Sequence, residues 1–152
     1  MAGILSPKPT RDSVTTIAAD GSRIFLHPSD AVHGDLGMVR ADDVVICISK
    51  SGDTQEIRQL LPMFKRIGVP TISMVGNMHS PLARQSDIAL DITVKEEACP
   101  LNLAPTTSTT ATLAMGDALA IALLEVRGFT QEDFASAHPG GALGRRLLLR
   151  IT

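Results

Sequence analysis

Three hydroxyl side chains, Ser49, Ser51 and Thr54, cluster around Gly52 directly after the apolar, β-branched run 44–48. Such a run reads as a buried parallel strand. Ile57, Leu60, Leu61, Phe64 and Ile67 then recur at helical spacing on one face. The hydroxyls therefore stand at the carboxyl end of a strand and the amino end of a helix, which is where ligands bind in open parallel α/β sheets. Helix N–H groups and the positive end of the dipole favour an anion there. The hydroxyls add donors, and Gly52 lets the backbone approach closely. The pattern reads as a seat for the phosphate of a small polar molecule. A Thr ahead of a helix is also an ordinary N-cap, and Thr54 is open to that simpler role. Three hydroxyls around one glycine exceed what capping needs.

Elements on both sides position this loop. Residues 23–27 read as a short strand closed by Pro28, and a loop or short helix follows through Val32-His33-Gly34. The helix after the hydroxyl loop ends at Gly68-Val69-Pro70. A strand over 71–75, a short helix over 81–85 and a strand over 88–92 come next. A helix from Thr109 to Arg127 ends at Gly128, and Thr130-Gln131-Glu132-Asp133 resembles a capping box for a helix to about Ala137. His138-Pro139-Gly140-Gly141 breaks it, and 142–150 reads as a basic amphipathic helix. Residues 1–16 show little periodicity and are expected to form a poorly ordered lead to one domain over 17–152. Strands alternating with helices predict an α/β fold, a parallel sheet with helices on both faces. The helix 109–126 is apolar nearly all round, so it must be covered on every side, as a central core helix or by another subunit.

Composition excludes several function classes. The chain has 152 residues, 44% hydrophobic and 20% charged, enough for one domain with a real core. Aromatics are 3%, with no Trp or Tyr, so no platform for stacking bases is expected. A net charge of -2 and no basic stripe argue against nucleic acid as partner. Cys47 falls in a strand and Cys99 in a loop before a proline, which fits a reducing, cytoplasmic compartment. The amino terminus has no signal-peptide pattern. The apolar stretch 113–126 is interrupted by Asp117 and Glu125 and is read as too short and too charged to span a membrane. His27, His33, His79 and His138 lack metal-motif spacing, so no metal is expected. No dinucleotide fingerprint or G-x-S-x-G elbow is present, and no cofactor is expected.

Ile48-Ser49-Lys50-Ser51-Gly52-Asp53-Thr54-Gln55-Glu56 resembles the signature of the sugar isomerase (SIS) domain. Four segments in order are similar to the D-arabinose 5-phosphate isomerase family: His27-Pro28-Ser29-Asp30-Ala31-Val32-His33-Gly34-Asp35-Leu36-Gly37-Met38, the loop just named, Lys95-Glu96-Glu97-Ala98-Cys99-Pro100-Leu101-Asn102-Leu103-Ala104-Pro105-Thr106 with its Thr/Ser run, and Gly128-Phe129-Thr130 through His138-Pro139-Gly140-Gly141-Ala142-Leu143-Gly144-Arg145. The resemblance implies a three-layer αβα, flavodoxin-like sheet in a cytoplasmic homotetramer. It implies interconversion of D-ribulose 5-phosphate and D-arabinose 5-phosphate for synthesis of Kdo, used in lipopolysaccharide. It also implies catalytic roles for His33, Glu56, Glu97 and His138, and sugar-phosphate contacts from Ser49, Ser51, Gly52, Thr54 and Ser108. Isomerisation through an enediol needs a carbon base and a group that moves protons between oxygens. Glu97 or Glu56 is the candidate base, and His33 or His138 the candidate shuttle.

Two departures matter. Members of that family begin with a helix and a central strand ending in a Gly-x-Gly-Lys-Ser loop. Here Gly3, Ser6 and Lys8 lie in a proline-broken stretch that does not match it. The resemblance thus leaves the first central strand missing, and the sheet must close up, borrow a strand or be unstable. Many members continue into paired CBS domains, and this chain ends without them. The rival expectation is a non-catalytic sugar-phosphate-binding protein or an inactive truncated paralogue.

Overall fold

β-Branched runs supply the strands. The computed structural model describes residues 12–17, 23–141 and 146. Among these, β1 (Asp12–Ile17), β2 (Arg23–Leu26), β3 (Val44–Ser49), β4 (Thr71–Val75) and β5 (Ile88–Asp91) form one sheet, in the order β2-β1-β3-β4-β5. The helices are α1 (Pro28–Val32), α2 (Gln55–Ile67), α3 (Pro81–Gln85), α4 (Thr107–Val126) and α5 (Gln131–Ala137), with a 3₁₀ turn over Asp35–Met38.

Parallel pairing holds for β3, β4 and β5, with Val45 beside Thr71 and Ile72 beside Ile88. β1 runs antiparallel to both β2 and β3, so the sheet is mixed and not wholly parallel as expected. The chain between β1 and β2 is only 18–22, far shorter than a parallel crossover needs. β1 also corrects the expectation of an unstructured lead across 12–16, while residues 1–11 lie outside those described. Its sequence holds Val14-Thr15-Thr16-Ile17, four β-branched residues in a row that suit a strand without showing any alternation. All six residues of β3 find a register partner on β1. The gap implied by the absent central strand is therefore filled by a strand from the chain's own amino-terminal region.

The core lies between the sheet and α2. Ile57, Leu60, Leu61 and Phe64 pack with Val45, Cys47 and Val75, joined by Leu26, Ala31, Val39, Val69 and Leu82. Burial pushes the Cys47 thiol up to about 12, so it behaves as an inert core side chain. On the other face Ile46, Ile48 and Met74 are buried too, as strands covered on both sides require. Helix ends follow local chemistry. Gly68 closes α2 at φ 82°, Ser80 Oγ accepts from Ala83 N at the start of α3, and Thr130 and Asp133 form the reciprocal capping box of α5. Asp87 accepts from both Thr71 N, at 2.7 Å, and Thr71 Oγ1, fixing the start of β5 to β4.

The backbone divides into two units, Met1–Gly116 and Asp117–Thr152, with the boundary inside α4. α4 runs 20 residues, longer than the stretch 113–126, and has the length and composition of a membrane-crossing helix, a description that core helices of soluble proteins also meet. Ser108 and Thr112, in its first two turns, are buried. In the second unit Ile121, Leu123 and Val126 are exposed. Except for Arg146, the helix expected over 142–150 lies outside the described residues.

Phe64 is fully buried at the centre of the core. Phe64→Ala is expected to cost about 3–5 kcal/mol, read from the urea midpoint at unchanged m-value.

Candidate active site

The hydroxyl loop is knit together by its own side chains. Ser49 Oγ lies 2.8 Å from Thr54 Oγ1 and 3.4 Å from Ser51 Oγ, and it accepts from Gly52 N at 3.1 Å. Ser49 is wholly buried, so its hydroxyl shapes the loop from inside and does not face a ligand. Ser51 is exposed and its Oγ accepts from Asp53 N. Thr54 holds the cap position of α2, but its hydroxyl is turned to Ser49 and no side chain caps the helix. The first-turn N–H groups of α2 are thus left for an outside acceptor. Gly52 adopts φ 65°, and a Cβ there would stand 2.1 Å from Ser80 Oγ. Its role here is to let the loop turn tightly against the start of α3, a packing reason beyond close approach to a ligand.

Glu97 is the densest polar centre in the described chain. Its side chain is fully buried, at the loop between β5 and α4. Oε1 accepts from Lys50 Nζ and Ser108 Oγ, each at 2.5 Å. Oε2 accepts from Thr106 N at 2.8 Å, Ser108 N at 3.1 Å and Thr106 Oγ1 at 3.3 Å. Asn102 Oδ1 in turn accepts from Glu97 N at 2.7 Å, and Thr106 Oγ1 accepts from Ala98 N at 2.9 Å. The Lys50 ammonium, then the Ser108 hydroxyl and the Thr106 N–H, hold the carboxyl far below the usual carboxylate range. Glu97 is an ionised carboxylate at neutral pH, with both oxygens engaged by donors.

The remaining expected residues stand apart in character. Glu56 is exposed in the first turn of α2, and its side chain makes no hydrogen bond or ion pair among the described residues. His33 is exposed at the carboxyl end of α1. His138 belongs to the second unit, where it ends α5 with Nδ1 3.1 Å from Phe134 O and its ring stacked on Phe134 at 4.4 Å. Ser108 is buried and spends its hydroxyl on Glu97, so it holds the carboxylate in place and offers nothing outward. Lys50, Asn102 and Thr106 were not singled out from sequence. Each lies inside a quoted motif, yet only the fold shows that all three converge on Glu97.

Residues 23–122 match the SIS domain. The chain belongs to the SIS domain family. It is 62% identical over 137 residues to arabinose 5-phosphate isomerase KdsD of Pseudomonas aeruginosa, covering 90% of this chain and 42% of the relative. The corresponding Escherichia coli K12 protein is 58% identical over 142 residues, covering 93% and 43%. The chain thus spans less than half the length of these relatives. A solved Escherichia coli CFT073 structure in complex with arabinose 5-phosphate matches with a TM-score of 0.70 at 51% identity, over 75% of this chain and 61% of that one. In this SIS domain the hydroxyl loop, Gly76 and Glu97 follow β3, β4 and β5 in turn, at the carboxyl edge of the parallel strands.

A carboxyl group whose pKa is lowered on folding contributes stability above its ordinary value of about 4.3, and that contribution is lost as the pH falls through the folded value. Glu97→Gln is therefore expected to be destabilised at neutral pH. The gap to the parent chain should be level above about pH 5 and narrow steadily as the pH falls below that, followed by urea denaturation. A gap independent of pH would refute the assignment of ionised Glu97 as a stabilising centre.

Proposed function

We propose that this SIS domain is an aldose–ketose isomerase acting on D-ribulose 5-phosphate and D-arabinose 5-phosphate through an enediol. The observation that carries the proposal is the 62% identity with an arabinose 5-phosphate isomerase over an alignment long enough to include both the hydroxyl loop and the Glu97 network. The loop's chemistry agrees with it. Ser51, the uncapped start of α2 and nearby Lys50 offer donors and positive charge to a phosphate. Thr54 and Ser49 set the loop's shape.

Between the two candidate bases the geometry favours Glu56. A carbon base must offer a lone pair to the migrating proton, and Glu97 has none to spare. Glu56 has both oxygens unengaged by described residues, at the helix end nearest the phosphate seat. Glu97 then acts as the positioning carboxylate, while His33 and His138 remain the candidates for moving protons between sugar oxygens. The product would feed synthesis of Kdo for lipopolysaccharide in the cytoplasm. A homo-oligomer, taken to be a tetramer, would cover the apolar residues that α4 exposes, among them Leu113 and Ile121. No metal or other cofactor is invoked.

The test is turnover of D-ribulose 5-phosphate by the purified chain, with Glu56→Gln and Glu97→Gln beside it. Glu56→Gln is expected to lower kcat by about 10²–10⁴-fold with KM little changed. Full turnover in Glu56→Gln would exclude it as the base. Binding of sugar phosphate by the parent chain without turnover would replace the isomerase reading with that of a binding protein.

A further inference from the structure

Glu97 receives five donors, whereas a carboxylate offers about four lone-pair sites. Two of the donors are backbone N–H groups, and two are hydroxyls of the same residues, Thr106 and Ser108. All four are fixed to the chain that surrounds the carboxylate. The fifth, Lys50 Nζ, sits on a flexible four-carbon stem with a side chain 48% exposed. Withdrawing Lys50 leaves four donors on about four sites, so Glu97 stays both buried and satisfied. The lysine is the one partner this network can release.

The base of the same side chain cannot move. Lys50 O accepts from Gly76 N at 3.0 Å, and a Cβ on Gly76 would stand 2.8 Å from that oxygen. Lys50 is flanked by Ser49 and Ser51, so its stem rises from the hydroxyl loop itself. An ammonium carries three protons. One goes to Glu97 Oε1, and the other two have no acceptor among the described residues.

We infer that Lys50 is the movable cationic contact of the sugar-phosphate site, parked on Glu97 and drawn to the ligand's phosphate when the sugar phosphate binds. The inference rests on the sugar-phosphate reading of the loop, not on turnover. Glu97 gives the ammonium a defined resting place, and the four chain-fixed donors keep the carboxylate hydrogen-bonded when the ammonium leaves for the phosphate. A phosphate dianion at the start of α2 then gains a charge-assisted hydrogen bond that hydroxyls and N–H groups alone do not supply. Lys50 is on this account a ligand contact that acts on affinity, and it takes no part in proton transfer.

The experiment is calorimetric titration of the purified chain with inorganic phosphate, and steady-state kinetics where turnover is present, for Lys50→Met, Lys50→Gln and Lys50→Arg. The glutamine keeps a neutral donor for Glu97, so a fold disturbed in Lys50→Met still leaves a variant that isolates the charge. Loss of the charge is expected to weaken phosphate binding about 10- to 100-fold and raise KM in proportion, with kcat within about threefold. Lys50→Arg should recover most of the affinity. Phosphate affinity within about twofold of the parent in Lys50→Gln would overturn the inference and leave the isomerase reading standing. Lysine-dependent phosphate binding without turnover in the parent would support Lys50 and remove the isomerase. A parent chain that binds no phosphate would overturn the inference.

Discussion

A buried carboxylate persists only where donors replace the water it has lost. Glu97 meets that condition by drawing its donors from two places far apart in sequence: the loop after β3, through Lys50, and the first residues of α4 with the turn before it, through Thr106 and Ser108. The requirement reads in both directions. The carboxylate needs the chain-fixed donors of Thr106 and Ser108, and these groups and Lys50 take their positions from the carboxylate. Thr106 serves twice, since its hydroxyl also accepts from Ala98 N. The carboxyl edge of the sheet is thereby organised around a single charge, and the hydroxyl loop is held at one end of that arrangement.

The second constraint is the sheet itself. A central strand with one bare edge would leave a row of N–H and C=O groups unpaired beside the core. β1 removes that problem by pairing with β3 along its whole length, and its short connection to β2 makes those two strands antiparallel. Backbone pairing does not depend on strand direction as strongly as side-chain packing depends on face. A strand of reversed direction can therefore stand where the family resemblance leaves a vacancy.

Periodicity made most elements legible. The apolar face of α2, its stop at Gly68, the strand at 71–75 and the capping box at Thr130 all rest on interactions within a few residues, and each was readable for that reason. β1 was not, because strand pairing is long-range and its sequence carries β-branched content without alternation. At the site, the hydroxyl loop was legible as a place but not in its division of labour. Which hydroxyl faces inward depends on strand parity, and Ser49 falls on the same buried face of β3 as Cys47. The Lys50–Glu97 pair spans 47 positions, and no local pattern announces it.

The two glutamates show how differently the fold can surround one residue type. Both are carboxylates near the carboxyl edge of the sheet, and their residue type alone could not separate them. Glu97 is enclosed by donors that stabilise its charge, so it cannot take a proton without giving up several hydrogen bonds at once. Glu56 stands in the open at the start of α2, free of such bonds. Catalysis by proton transfer needs a group whose protonation costs little relative to its neighbours, whereas positioning needs the opposite. An anchor that titrated would lose its grip on Lys50 and Ser108 whenever it took up a proton. Under the proposed isomerase reading, splitting the tasks between two carboxylates leaves Glu97 as the fixed charge and Glu56 as the one free to exchange a proton.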